Sequence, residues 1–148
     1  MAITHHELCF GCGIANLFGL QMDVDAADDG DGVSGSFFVK QDHQGPTPGF
    51  AHDGVIASAL DEVMALCVHH QGGLTMTGRL EVDFRAPVPV GMFVRVAARV
   101  AGREGQTLEL RSEAHGVGGD RPLIAEAKAR FALAKTDEPG GGPTPPAR

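Results

Sequence analysis

The sequence predicts an α+β domain, an antiparallel sheet of about six strands wrapped around one long buried helix. Three observations predict it. Asp53 to His70 is an unbroken run dominated by helix formers, with apolar residues on nearly every side. Short segments of alternating apolar and polar residues flank that run, two before it and four after. The whole chain has 148 residues, the size of one domain with one core.

The elements follow in chain order. Cys9-Phe10-Gly11-Cys12-Gly13 reads as a glycine-punctuated loop. Leu20 to Val24 and Val33 to Val39 read as strands, and Asp28-Asp29-Gly30-Asp31-Gly32 between them is turn chemistry, so the pair makes a hairpin. The helix spans Asp53 to His70, contains no proline and stops at Gly72-Gly73. Val55, Ile56, Ala59, Leu60, Val63, Met64, Leu66 and Cys67 cover most of its circumference, which requires other structure to enclose it.

The enclosing strands come next. Leu80, Val82 and Phe84 alternate with Glu81, Asp83 and Arg85; Val94, Val96, Ala98 and Val100 share one parity; Leu108 and Leu110 alternate with Glu109 and Arg111. Leu123 to Leu133 has a helix-forming composition, but every second residue is apolar while Glu126, Lys128 and Arg130 intervene, and period two makes it a strand. Turn signals lie at residues 101–105 and 116–120. Residues 1–135 are thus expected to form the domain. Residues 136–148, ending in DEPGGGPTPPAR, are expected to be a disordered tail, because such sequence cannot bury enough surface to offset its ordering entropy.

Composition excludes some functions. With 12 Lys+Arg against 19 Asp+Glu the chain lacks the basic surface that neutralising phosphates requires, so no nucleic-acid partner is expected. No segment approaches the ~20 apolar residues of a membrane span. Three cysteines, an odd number, argue against a disulfide framework and for a reducing, cytoplasmic setting.

Candidate chemistry sits on and before the helix. Asp61 and Glu62 form a carboxylate pair midway along an otherwise apolar element. One reading places both on a narrow solvent-facing strip. The other starts from the helical neighbours of Asp61, which are Ala57, Ser58, Met64 and Ala65 and leave a hollow where a carboxylate gains basicity. Gly49-Phe50-Ala51-His52-Asp53-Gly54 leads into the helix start, where free N–H groups and the positive end of the dipole can hold an oxyanion. Gly54 admits a close ligand, and Asp53 also reads as an N-cap. His52 and Asp61 are nine positions apart, about 13.5 Å along a helix at 1.5 Å per residue, too far to act on one carbon. If both act, they come from two subunits paired about a two-fold axis. Cys9-x-x-Cys12 with His5 and His6 has the look of zinc ligands, but there is no second cysteine pair and Cys67 belongs to the buried helix, so no metal is expected. His69 and His70 read as partners of the helix dipole.

Three segments in order, CFGCGIANLFGLQM from Cys9, HQGPTPGFAHDGVIASALDEVMA from His43 and TGRLEVDFRAPVPVG from Thr77, resemble the hotdog-fold acyl-CoA thioesterases of the phenylacetate-pathway type. The resemblance covers nearly the whole ordered chain. It implies that Asp61 is the helix carboxylate serving as general base or nucleophile. His52 then opens the family's His-Gly-Gly motif, the N–H groups of Asp53 and Gly54 form the oxyanion hole, and Thr77 positions the attacking water. Arg85, Pro87 and Arg103 fall where relatives contact coenzyme A. The resemblance further implies an acyl-coenzyme A substrate and no cofactor; the spacing of His52 and Asp61 makes the expected assembly a homodimer, with pairing into a homotetramer left open. Asp53 replaces the motif's first glycine, and Pro46 stands where some relatives carry Asn, a role for which Gln44 is the nearby candidate. Simple alternation from Leu80 turns Thr77 away from the helix unless a bulge at Gly78 re-aims it. A hydroxyacyl-thioester dehydratase and a non-catalytic acyl-CoA-binding protein are the alternative readings.

Overall fold

A computed structural model describes residues 2–133, so the expected tail at 136–148 lies outside the described residues. The elements are β1 (Asp23–Ala26), β2 (Val33–Phe38), a single 3₁₀ turn (Gln41–His43), α1 (Asp53–His70), β3 (Thr75–Phe84), β4 (Phe93–Glu104), β5 (Thr107–Gly116) and β6 (Leu123–Leu133). All six strands join one sheet in the order β1-β2-β4-β5-β6-β3, and every pairing is antiparallel. α1 packs across one face of that sheet and touches every strand. This is the hotdog arrangement that the sequence predicts.

Period-two patterning explains which face meets the helix. Along β5, Leu108, Leu110, Ser112 and Ala114 are buried while Glu109, Arg111 and Glu113 are exposed. Ser112, a polar residue among the buried ones, donates its hydroxyl to the Leu60 carbonyl of α1 at 3.3 Å, which offsets its desolvation. Leu60, Val63, Met64 and Leu66 of the helix meet Phe37, Val94, Leu110 and Phe131 of the sheet in one core. No helix among the described residues is long and apolar enough to cross a membrane.

The helix and β6 have the expected bounds. The first strand does not: pairing with β2 begins at Asp23. The N–H groups of Leu20 and Met22 are already committed to the Phe10 and Gly11 carbonyls at 2.8 and 2.9 Å, so those apolar residues are buried without joining the sheet. β4 runs on to Glu104 through a bulge between Val100 and Gly102, which moves the turn to Gly105-Gln106 at the end of the expected 101–105 signal. The site depends most on β3, which starts at Thr75 and forms one edge of the sheet.

Candidate active site

Asp61 lies midway along α1 and is half-buried. The hydroxyl of Thr77 donates to its Oδ1 at 2.6 Å. A register shift in the β3–β6 pairing between Thr77 and Arg79 places a bulge at Gly78. That bulge breaks the alternation and lets Thr77 and Leu80 serve the same face. Burial pushes the Asp61 carboxyl above its usual range and the neighbouring Glu62 charge adds to the push, while the Thr77 hydrogen bond partly opposes them. A carboxylate has more acceptor positions than one hydroxyl fills, so this one keeps capacity for a water or a substrate.

The helix start differs from expectation in two respects. α1 begins at Asp53, and the cap is His52, whose Nδ1 accepts from the Gly54 N–H at 2.8 Å. Asp53 is therefore the first helical residue rather than the N-cap. The Gly54 amide, expected to be a free oxyanion donor, is occupied by the preceding imidazole. A side chain at Gly54 would first meet the His52 ring, so its lack of Cβ serves the cap as well as any ligand. The Asp53 N–H, at the first position of the helix, has no intrahelical acceptor. Gln44 is also engaged: its Nε2 donates to the Gln41 carbonyl at 3.0 Å and its Oε1 accepts from the Gly49 N–H at 2.7 Å, so it ties the loop and is not directed to a carbonyl substrate.

Arg85 and Pro87 follow β3, on the stretch whose Val88 carbonyl accepts from the Ala51 N–H at 2.8 Å, so they belong with the helix start. Arg85 is exposed and pairs with Glu126 at 2.7 Å. Arg103 lies at the β4–β5 hairpin, with its Nε on the Gly105 carbonyl at 3.0 Å. The sheet register aligns Arg103 with Leu108 and thence Phe131, five positions along β6 from Glu126. At ~3.4 Å per residue that is roughly 17 Å, so one chain does not bring Arg85 and Arg103 together. Two hollows of about 240 and 600 Å³ open on the face turned away from the helix, lined by residues such as Arg79, Glu109, Arg111 and Lys128. Neither touches Asp61 or His52.

Glu62 has a partner set of its own. Its Oε1 lies 2.8 Å from His5 Nδ1 and accepts from Cys9 Sγ at 3.3 Å. Burial pushes its carboxyl up, but the hydrogen bond and charge of His5, with the two thiols, outweigh that and hold it below the usual range. His5 in turn is pushed up to about 11: burial opposes its charge, and hydrogen bonds to Cys12, Glu62 and Cys9 overcome it. The two helix acids thus share no solvent strip. A step of one residue turns a helix by ~100°, which points Asp61 at β3 and Glu62 at the amino-terminal loop. The sequence reading already sets Cys9, Cys12 and His5 side by side, but Glu62 as their partner escapes it, although an acid on an all-apolar helix signals a partner elsewhere in the chain. His69 also departs from expectation, since its ring packs edge-on against His5 at 4.8 Å, and burial together with the His5 charge lowers its pKa.

Residues 48–122 match the family model of the thioesterase superfamily. The chain belongs to that superfamily. Among its relatives, acyl-coenzyme A thioesterase THEM4 of Xenopus laevis is 34% identical over 92 residues, 60% of this chain and 39% of that protein. This superfamily member therefore spans about two fifths of the length of the curated relatives it matches. Solved structures share the fold. A hypothetical thioesterase protein from Streptococcus pneumoniae with coenzyme A superposes with a TM-score of 0.68 at 12% identity, over 76% of this chain and 87% of that one. The protein smu.793 from Streptococcus mutans, bound to acetyl CoA, gives 0.69 at 15% identity, over 79% and 91%. Two more structures of the S. pneumoniae protein carry alanine in place of one aspartate and of one threonine, sixteen positions apart.

Proposed function

We propose that this chain hydrolyses an acyl-coenzyme A to the free acid and coenzyme A, with Asp61 activating or supplying the nucleophile. The observation that carries the reading is the Asp61 carboxylate, desolvated on the central helix and gripped through one oxygen by Thr77. Membership of the thioesterase superfamily supports it, as do the coenzyme A and acetyl CoA bound by two structural neighbours. The sixteen-residue spacing of Asp61 and Thr77 equals that of the two residues replaced in the S. pneumoniae protein.

In the reaction, Asp61 takes a proton from water as the water oxygen attacks the thioester carbon, and the carbonyl oxygen becomes an oxyanion. Amides at the start of α1 hold that charge, the Asp53 N–H directly and the Gly54 N–H once His52 gives it up. Collapse breaks the carbon–sulfur bond, and Asp61 returns its proton to the departing thiolate. In the other route the Asp61 carboxylate attacks directly, expels the thiolate and forms an anhydride that water then opens. Single turnover in heavy-oxygen water separates the two, because direct attack leaves solvent oxygen in Asp61 and sends an unlabelled acid into solution.

The site is read as shared between two copies. Asp61 and His52 of one helix are too far apart to meet on one carbon, and neither of the two hollows described above reaches them. β3 is an edge strand of ten residues that carries Thr77, and its outer backbone groups can pair with a second β3 about a two-fold axis. Such pairing extends the sheet and sets the two helices side by side, Asp61 of one facing the start of the other. Arg85 and Pro87 beside one helix start and Arg103 of the other copy would then line the route taken by coenzyme A. An exposed pair such as Arg85–Glu126 is cheap to exchange for a phosphate contact. Specific activity is expected to fall on dilution in step with the dimer fraction seen by sedimentation. A fully active monomer would refute the shared site. We read this chemistry as belonging to a reducing compartment such as the cytoplasm, a reading that the three free cysteines support.

Thr77→Val is expected to lower kcat about tenfold, the worth of one hydrogen bond of roughly 1–1.5 kcal/mol, while Thr77→Ser restores most of it. Equal rates for wild type and the valine variant would remove Thr77 from the mechanism. A silent acyl-CoA-binding protein is the second reading, favoured by the occupied Gly54 amide and the acidic Asp53. Thiol release measured over short, long and aromatic acyl-CoA substrates decides between the readings.

A further inference from the structure

The amino-terminal loop and α1 hold a cluster that hydrolysis does not use. His5 Nδ1 lies 3.7 Å from Cys9 Sγ, 3.6 Å from Cys12 Sγ and 2.8 Å from Glu62 Oε1, and Cys9 Sγ lies 3.3 Å from the same carboxylate oxygen. All four donor atoms fall within 4.8 Å of one another. A tetrahedral ion with bonds of about 2.0–2.3 Å needs its ligand atoms roughly 3.3–3.8 Å apart, so the cluster closes around such an ion with shifts of a few tenths of an ångström to about one ångström. Two thiolates, one imidazole and one carboxylate are a donor set for zinc. Calcium and magnesium demand oxygen ligands, and an iron–sulfur cluster would ask for more thiolates than these.

The surroundings are built for charged sulfur. The Gly13 N–H donates to the Cys9 carbonyl at 2.8 Å, which closes the Cys-x-x-Cys segment into a tight turn. Cys12 Sγ receives the His5 N–H at 3.2 Å and the Thr4 hydroxyl at 3.5 Å. Two donors thus converge on the Cys12 sulfur, and outer hydrogen bonds of this kind orient metal ligands. A Cβ at Gly11 would collide with the Glu62 side chain, and one at Gly13 with the backbone of Glu7 and Cys9, so glycine at both positions lets the loop close on the carboxylate. Both cysteines are free.

We propose that His5, Cys9, Cys12 and Glu62 bind one zinc ion, which fastens the amino-terminal loop to α1 at the position next to Asp61. With four protein ligands the site is closed and structural, leaving no coordination position for a substrate. Its effect on Asp61 is positional: anchoring Glu62 fixes the rotation of the helix about its own axis where the carboxylate meets Thr77.

The test uses the full chain, purified under reductant and equilibrated with excess Zn²⁺ before desalting. Elemental analysis is expected to find about one zinc per chain. Exchange for Co²⁺ is expected to give the intense visible bands of a tetrahedral ion together with thiolate-to-cobalt charge transfer in the near ultraviolet. Cys9→Ser and Cys12→Ser should each weaken that charge transfer and lower metal affinity at least tenfold. Glu62→Gln should lower affinity while keeping both sulfur bands, and His5→Ala, at the loop's outer end, provides a variant whose folding can be checked by circular dichroism. Zinc well below one equivalent in folded wild type would overturn the proposal. So would a cobalt spectrum without thiolate bands, or one unchanged in the cysteine variants. These readouts do not involve thioester hydrolysis, so the zinc site and the enzymatic reading stand or fall separately.

Discussion

Asp61→Ala is expected to lower acyl-CoA turnover by at least about 10²-fold, the usual contribution of one positioned proton-transfer group, with binding of coenzyme A nearly unchanged. Asp61→Asn is the sharper variant, since it keeps the shape and the Thr77 contact and removes only the charge. Its folding stability is expected to match or exceed that of wild type. Burial holds the Asp61 carboxyl above its ordinary pKa. The folded chain therefore binds that proton more tightly than the unfolded chain does. Stability falls as pH rises through that interval, and at neutral pH the ionised carboxylate costs folding free energy. A slow enzyme that melts no lower than wild type is the signature of a group kept for chemistry. Steady-state kinetics and thermal melts on one preparation check both halves. Full activity in Asp61→Asn would show that the carboxylate is not the catalyst.

Phe131→Ala is expected to be the most damaging change outside the site. Phe131 is fully buried on β6, and the register sets it between Leu108 of β5 and Thr77 of β3. Truncating a buried phenylalanine costs about 3–5 kcal/mol through lost transfer free energy and the cavity left behind. For a chain of this size that lowers Tm by roughly 10–20 °C. Thr77 is its cross-strand neighbour, so the variant is also expected to lose activity below its melting temperature. Urea unfolding with circular dichroism gives the stability term, and assays well below Tm give the second. A loss under about 1 kcal/mol would mean that β6 repacks and that the β3 edge does not depend on this side chain.

The helix was legible because its signal is local and redundant: eighteen residues without proline, apolar on all sides, ending before a glycine pair. β6 was legible for a different reason. Its composition favours helix, yet alternation at Ala125, Ala127, Ala129 and Phe131 places one side on the core, and burial outweighs a propensity of a few tenths of a kcal/mol per residue. The first strand was displaced by three residues because backbone hydrogen bonds from Leu20 and Met22 go to the loop at Phe10 and Gly11, a competition between partners distant in sequence. Gly78 carried a visible hint of the bulge that turns Thr77 toward Asp61, although only the pairing of β3 with β6 shows that the turn is made.

At the site, the residue types were readable and their partners were not. An acid on an enclosed helix must be paired or put to use, which singled out Asp61 and should have singled out Glu62. That Glu62 meets His5, Cys9 and Cys12 follows from the loop folding back across α1, and no spacing in the chain encodes it. The cap at His52 likewise depends on one side-chain rotamer at the helix start. The sequence by itself determined the element types, the buried helix and the chemistry available on it, because periodicity and residue character act over a few neighbours. Tertiary structure alone decided which group each carboxylate faces, because those contacts join positions 16 and 53 or more residues apart and are set by how the loop and sheet pack around the helix.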